Sequence, residues 1–170
     1  NPIPSQWSKE RLVFIPEVKG MALRTYYLEP GHCPLPPEDP VVVTLQGQVA
    51  CLENQLIRVE VDTNGQLLSV YDKEAQREVL PPGQRGNVVL MAEDLPLNYD
   101  AWEIEKYYRQ AIEEVRGGTM TVIEEGPVQG RIRITRTFGE GSTWTQDIVL
   151  NTGSKRLDFE TKVDWQEVHR

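Results

Sequence analysis

Arg156-Leu157-Asp158-Phe159-Glu160-Thr161-Lys162-Val163-Asp164-Trp165 trades polar for apolar side chains at almost every step, and its reading decides the fold. Successive side chains of an extended strand point to opposite faces, so Leu157, Phe159, Thr161, Val163 and Trp165 share one side while Asp158, Glu160, Lys162 and Asp164 share the other. The first face is expected in a core and the second in water, as in an antiparallel sheet. Residues 128–138 repeat the scheme, with Ile132 and Ile134 inward and Arg131, Arg133 and Thr135 outward. Residues 56–61 set Ile57, Val59 and Val61 on one side.

The connections agree with that reading. Asp62-Thr63-Asn64-Gly65 is a hairpin signal, because Asn-Gly tolerates the positive φ that tight turns require. Gly139-Glu140-Gly141-Ser142 and Asn151-Thr152-Gly153-Ser154 punctuate the later strands in the same way. Turn signals recurring at roughly 8–12 residues predict an all-β chain, an antiparallel sandwich or barrel. Two stretches break the rhythm. Pro30, Pro34, Pro36, Pro37 and Pro40 crowd into an interval that can hold neither ladder nor helix and reads as a linker over residues 30–45. Over residues 100–115, Ile104, Tyr107 or Tyr108, Ala111 and Val115 recur at helical spacing and predict one short helix.

Composition excludes several classes. The 170 residues carry 26 acidic and 18 basic side chains, a formal charge of −8, with no Lys/Arg block, so nucleic acid and anionic membranes are poor partners. No stretch approaches a membrane span or a signal peptide. Cys33 and Cys51 cannot form a disulfide framework, which suits a reducing, cytoplasmic setting. The absence of an initiator Met leads to the expectation that the chain begins inside a longer reading frame.

Nucleophile and metal chemistry need ligands and bases that are scarce here. His32 lies in the proline stretch beside Cys33 and His169 is the penultimate residue; neither adjoins a nucleophile motif or has the spacing of a zinc pair. Glycoside hydrolysis uses two carboxylates, but Glu113-Glu114 and Glu124-Glu125 read as solvated edges. The most unusual text is residues 93–105, where Asn98, Tyr99, Asp100 and Trp102 place aromatics beside amide and acidic groups. Sugars ask for that combination, since their C–H faces stack on aromatics and their hydroxyls need paired donors and acceptors. Asp100-Ala101-Trp102-Glu103 also has the form of a capping box. Local structure accounts for its spacing without a ligand, which favours a capped helix with a buried Trp102; the two readings are compatible.

Residues 52–62, Gly65, residues 69–75 and 77–80 together resemble the start of the C-terminal β region of glycoside hydrolase family 38 α-mannosidases. The likeness runs on through Asn98-Tyr99-Asp100-Ala101-Trp102-Glu103-Ile104, similar to that family's D-A-W-D-I-D segment with Glu103 and Glu105 in place of aspartates. Gly126-Pro127-Val128, Ser142 with Gln146, and residues 164–169 also fit, although the family more often has His or Asn at position 166 and Arg or Lys at 168. Residues 11–29 look like the last strands of a small β module that precedes this region in the family.

The resemblance implies residues 1–29 as the end of that module, 30–45 as linker, and 46–170 as the N-terminal part of an antiparallel β-sandwich with one short helix. It implies a parent enzyme that is a retaining exo-α-mannosidase, with a nucleophilic Asp and a divalent metal, usually zinc, in a barrel that has no counterpart in this sequence. No catalytic or metal-binding residue carries over. What carries over is a substrate-bordering role for Asn98, Tyr99, Asp100 and Trp102, in a portion that buttresses the substrate site and is expected to be inactive alone. The partner implied is a mannoside or oligosaccharide; an unpaired sheet edge gives the fragment a route to homo-oligomers. A free-standing carbohydrate-binding sandwich is the alternative. An epimerase-like enzyme would need a His/Glu acid–base pair within the sheet, against which the positions of both histidines speak.

Overall fold

The computed structural model describes residues 3–8, 11–31, 36–99 and 102–170. β1 (Ser5–Ser8) and β2 (Arg11–Phe14) form a hairpin. β3 (Val42–Gln46), β4 (Val49–Glu53), β5 (Ile57–Asp62), β6 (Leu67–Asp72) and β7 (Arg77–Glu78) follow as a five-stranded antiparallel meander. β3 thus starts at Val42, within the stretch read as linker. A small pair, β8 (Leu90–Ala92) and β9 (Ile112–Glu114), brackets a long excursion. β10 (Thr119–Glu125), β11 (Gln129–Phe138), β12 (Ser142–Asn151) and β13 (Leu157–Asp164) complete a second meander of four strands.

The two meanders pack face to face as a sandwich, with β3 and β4 lying over β10 and β11. Alternation places Ala50 and Leu52 of β4, Ile57, Val59 and Val61 of β5, Ile132 of β11, and Ile148 and Leu150 of β12 in one buried cluster. Gly130 allows the closest approach: a Cβ there would stand 2.6 Å from a methyl of Val43 and 2.7 Å from one of Val41. At the predicted turn, the Gly65 amide donates to Asp62 O at 2.9 Å and the Asp62 amide to Gln66 O at 3.0 Å. Gly65 has φ +73°, and the pairing of β5 with β6 shifts register at Glu60/Val61, so the connection is a turn closed by a glycine bulge.

One end of the sandwich is fastened by Asn54, which is buried with all its side-chain capacity in use. Its Nδ2 donates to Asn151 O at 3.1 Å and Ser154 O at 2.8 Å, and its Oδ1 accepts the Leu56 and Ile57 amides at 2.9 Å. One amide side chain therefore shapes the β4–β5 turn and ties it to the β12–β13 turn of the other sheet.

Three expectations are corrected. Among the described residues of 100–115 there is no α-helix: Lys106–Gln110 is a single 3-10 turn, and Ile112 and Glu114 belong to β9, because pairing with β8 takes the backbone that a helix would use. The apolar side of β13 is only partly covered, with Phe159 40% and Val163 45% exposed, because β13 is an edge strand beyond the reach of the five-stranded sheet. The outer face of β11 and β12 is not wet throughout. The β1–β2 hairpin lies against it, and Arg131 and Glu124, expected in water, are buried there with Asp147.

Candidate functional site

The excursion between β8 and β9, residues 93–111, carries the residues singled out for sugar chemistry. Its root is held at several points. The Val115 amide donates to Val89 O at 3.0 Å and the Asp94 amide to His169 O at 2.8 Å. Inside the excursion, Tyr107 Oη donates to Leu95 O. Partial burial first, then the nearby carboxylates of Glu105 and Asp94, raises the Tyr107 phenol above its ordinary range. The Trp102 and Glu103 amides both point to Tyr99 O, at 3.3 and 3.2 Å, which makes a tight turn at the tip.

That turn brings Tyr99, Trp102 and Glu103 together around an open concavity of about 460 Å³. Trp102 is 89% exposed, so the expectation of a buried indole is corrected: the tight turn on Tyr99 O leaves the ring in solvent, outside the buried cluster between the sheets. Tyr99 and Asn98 are exposed as well, and Asn98 does not line the concavity. Asp100, and with it the Asp100 half of the capping box, lies outside the described residues. The 3-10 turn starts from Glu105 with no side-chain cap. Glu103, read from sequence as half of a cap, adds a carboxylate beside the two rings; its nearness to Tyr99 could have been read only from the turn geometry. Leu95, Leu97 and Ile104 are also exposed on the excursion, leaving an apolar surface of the kind that marks an interface.

A second concavity, also about 460 Å³, lies where the β1–β2 hairpin meets the outer face of β11 and β12. Its walls include Arg11, Glu124, Arg131, Arg133, Asp147 and Glu160, and these groups are spent on one another. Arg131 Nη1 lies 2.9 Å from Asp147 Oδ2 and 2.5 Å from Glu160 Oε2; Arg133 Nε lies 2.6 Å from Asp147 Oδ1. Ser8 Oγ donates to Glu124 Oε1, and Arg11 reaches the same oxygen at 3.2 Å. Three cations meet three carboxylates, which makes this a structural junction.

No group of three or more His, Cys, Asp or Glu among the described residues is arranged to hold a metal ion. The donor set among the described residues does not fit a zinc centre. His32 and Cys33 lie outside the described residues, and Cys51 is half-buried with its Sγ accepting from Arg58 Nε at 3.4 Å. No helix among the described residues is long and apolar enough to cross a membrane.

A sandwich of two antiparallel meanders with an aromatic excursion held beside it thus defines the class, and comparison with known proteins gives the family. Residues 52–170 match the C-terminal domain of glycosyl hydrolases family 38, and the chain belongs to that family. It is 30% identical over 179 residues to human (Homo sapiens) alpha-mannosidase 2C1, covering 96% of this chain and 17% of that protein. It is 34% identical to the Mus musculus alpha-mannosidase 2C1 over 81% of this chain and 14% of that one. For alpha-mannosidase G of Dictyostelium discoideum the figures are 33% identity, 70% and 11%. The chain therefore spans less than a fifth of the length of these relatives.

Proposed function

We propose that this chain is the β-sandwich portion of a retaining exo-α-mannosidase that hydrolyses terminal α-mannosides, and that its 93–111 excursion borders the substrate site of a catalytic barrel elsewhere in the polypeptide. The observation that carries the reading is Trp102. A large indole standing 89% exposed beside Tyr99 and Glu103, on an excursion rooted at both ends, costs solvation unless another surface or a sugar face covers it. Family membership and relatives named as alpha-mannosidases supply the substrate class.

Asn98, Tyr99, Asp100 and Trp102 form the proposed substrate-bordering set, with Glu103 added by the geometry. The nucleophile and the divalent metal belong to the barrel, and the enzyme works in the cytoplasm, in keeping with the two cysteines of this chain. The test is Trp102→Ala in the full-length enzyme with an aryl α-mannoside: kcat/KM falls while thermal stability holds. Unchanged kinetics would leave Trp102 a packing residue. Saturable binding of mannose by this chain alone would favour a free-standing carbohydrate-binding module, for which the Tyr99–Trp102 pair is also suited.

A further inference from the structure

Arg136 stands on the inner face of β11, in line with Ile132 and Ile134, where an apolar residue would continue the core. It is only 4% exposed, and no carboxylate lies within ion-pair distance of it among the described residues. Its guanidinium lies over the ring of Trp144, its partner on β12, at 4.2 Å from the centroid. Its two terminal nitrogens reach backbone carbonyls on different parts of the chain. Nη1 donates to Val115 O at 2.6 Å, and Nη2 donates to Asn64 O. Val115 follows β9 directly, at the exit of the 93–111 excursion; Asn64 forms the β5–β6 turn of the facing sheet.

A buried cation without a paired carboxylate is costly, and a Met or Leu in the same place would pack the sheet end more cheaply. What a methionine cannot do is hold two carbonyls in a fixed fork. The same corner is clamped by other contacts of the same sense. Asn64 Oδ1 accepts the Gly117 amide at 3.0 Å, and Gln66, 1% exposed, donates to Glu114 while accepting from Arg85 at 2.7 Å. These contacts fasten the strand that leaves the excursion to the turn of the opposite sheet.

We infer that Arg136 is a positioning residue for the substrate-bordering excursion: its fork from Trp144 to Val115 O and Asn64 O sets where Tyr99 and Trp102 stand relative to the bound mannoside. The inference rests on the proposed function, and the experiment separates the two. Arg136→Lys keeps a cation over Trp144 but cannot bridge both carbonyls; Arg136→Met keeps the length and removes the charge. In the full-length enzyme, hydrogen exchange of amides 112–118 speeds up in both variants while core amides of β5 and β12 stay protected. With an aryl α-mannoside, Arg136→Lys lowers kcat/KM on the order of tenfold or more, as displaced contacts do. In the Trp102→Ala background the same change costs little further, because its effect passes through that residue.

Unchanged exchange at 112–118 overturns the inference whatever Trp102 does. So does a full, additive loss of kcat/KM in the double variant, which would make Arg136 merely structural. If exchange rises but Trp102→Ala is kinetically silent, the substrate-site reading fails, and the role of Arg136 in substrate positioning fails with it.

Discussion

Arg131 and Asp147 meet on the outer face of β11 and β12, Nη1 to Oδ2 at 2.9 Å, with side chains 4% and 7% exposed. A pair so placed is sealed from above by a hairpin more than a hundred residues away: Gln6 Nε2 donates to Gln129 O at 2.9 Å and Gln6 Oε1 accepts the Val128 amide at 2.8 Å. Burial makes the pair a poor source of net stability against an apolar replacement, yet breaking it by half is severe. Arg131→Met leaves Asp147 with Arg133 alone and buried Glu124 with only the solvent-exposed Arg11, at 3.2 Å, as a cation. The expected cost is about 3–5 kcal/mol, read as a lower urea midpoint for unfolding of this chain.

The same junction sets an acid limit. Burial pushes the Asp147 carboxyl up, but the hydrogen bonds from Arg133 and Arg131 outweigh it and hold the group below its ordinary value of 3.8. A depressed folded-state value means the contribution is complete above the unfolded value and is lost as pH falls through the folded one. Stability is therefore expected to drop as pH is lowered from about 4 toward the depressed value, and Asp147→Asn should flatten that part of the profile. Urea midpoints between pH 2 and 6, in about half-unit steps, decide it; a wild-type slope preserved in the variant would remove Asp147 from the account.

Asn54 holds two turns with one amide, so Asn54→Ala strips four hydrogen bonds and strands buried carbonyls and amides. A loss of about 2–3 kcal/mol is expected, and Asn54→Asp is expected to lose at least as much: it still accepts from Leu56 and Ile57 but turns a buried carboxylate oxygen toward the Asn151 and Ser154 carbonyls. Thermal unfolding of the two variants side by side checks the order.

Gly130 tests the sheet spacing. Alanine there would press on Val41 and Val43, and overpacking of this kind costs about 1–3 kcal/mol. Gly130→Ala combined with Val43→Ala should recover part of the loss if the methyl clash is its cause, as the urea midpoint would report.

Much of the fold could be read from period-2 text, since Ile57, Val59, Val61, Ile132 and Ile134 are all at or below 5% exposed. Alternation reports which residues share a face but not what covers that face. Arg131 and Glu124 were expected in water because the hairpin that buries them is remote in sequence. Phe159 and Val163 were expected in a core because nothing in β13 itself marks it as an edge. The helical spacing of Ile104, Ala111 and Val115 was real but lost to the β8–β9 pairing, which satisfies more backbone. At the candidate site, the sequence offered Tyr99 and Trp102 as chemistry-bearing residues; the tip turn that adds Glu103 depends on backbone bonds to Tyr99 O. Arg136 carried no sequence signal beyond a charge at an inward position.

A substrate-bordering Trp102 is covered when substrate is bound. Hydroxyl-radical footprinting of the full-length enzyme, with and without a competitive mannose-configured inhibitor, measures this directly. Trp102 is predicted to be oxidised less when the inhibitor is bound, while Trp7, 66% exposed on the remote hairpin, is oxidised equally in both states. Equal oxidation of Trp102 with and without inhibitor at saturation would contradict the substrate-bordering role.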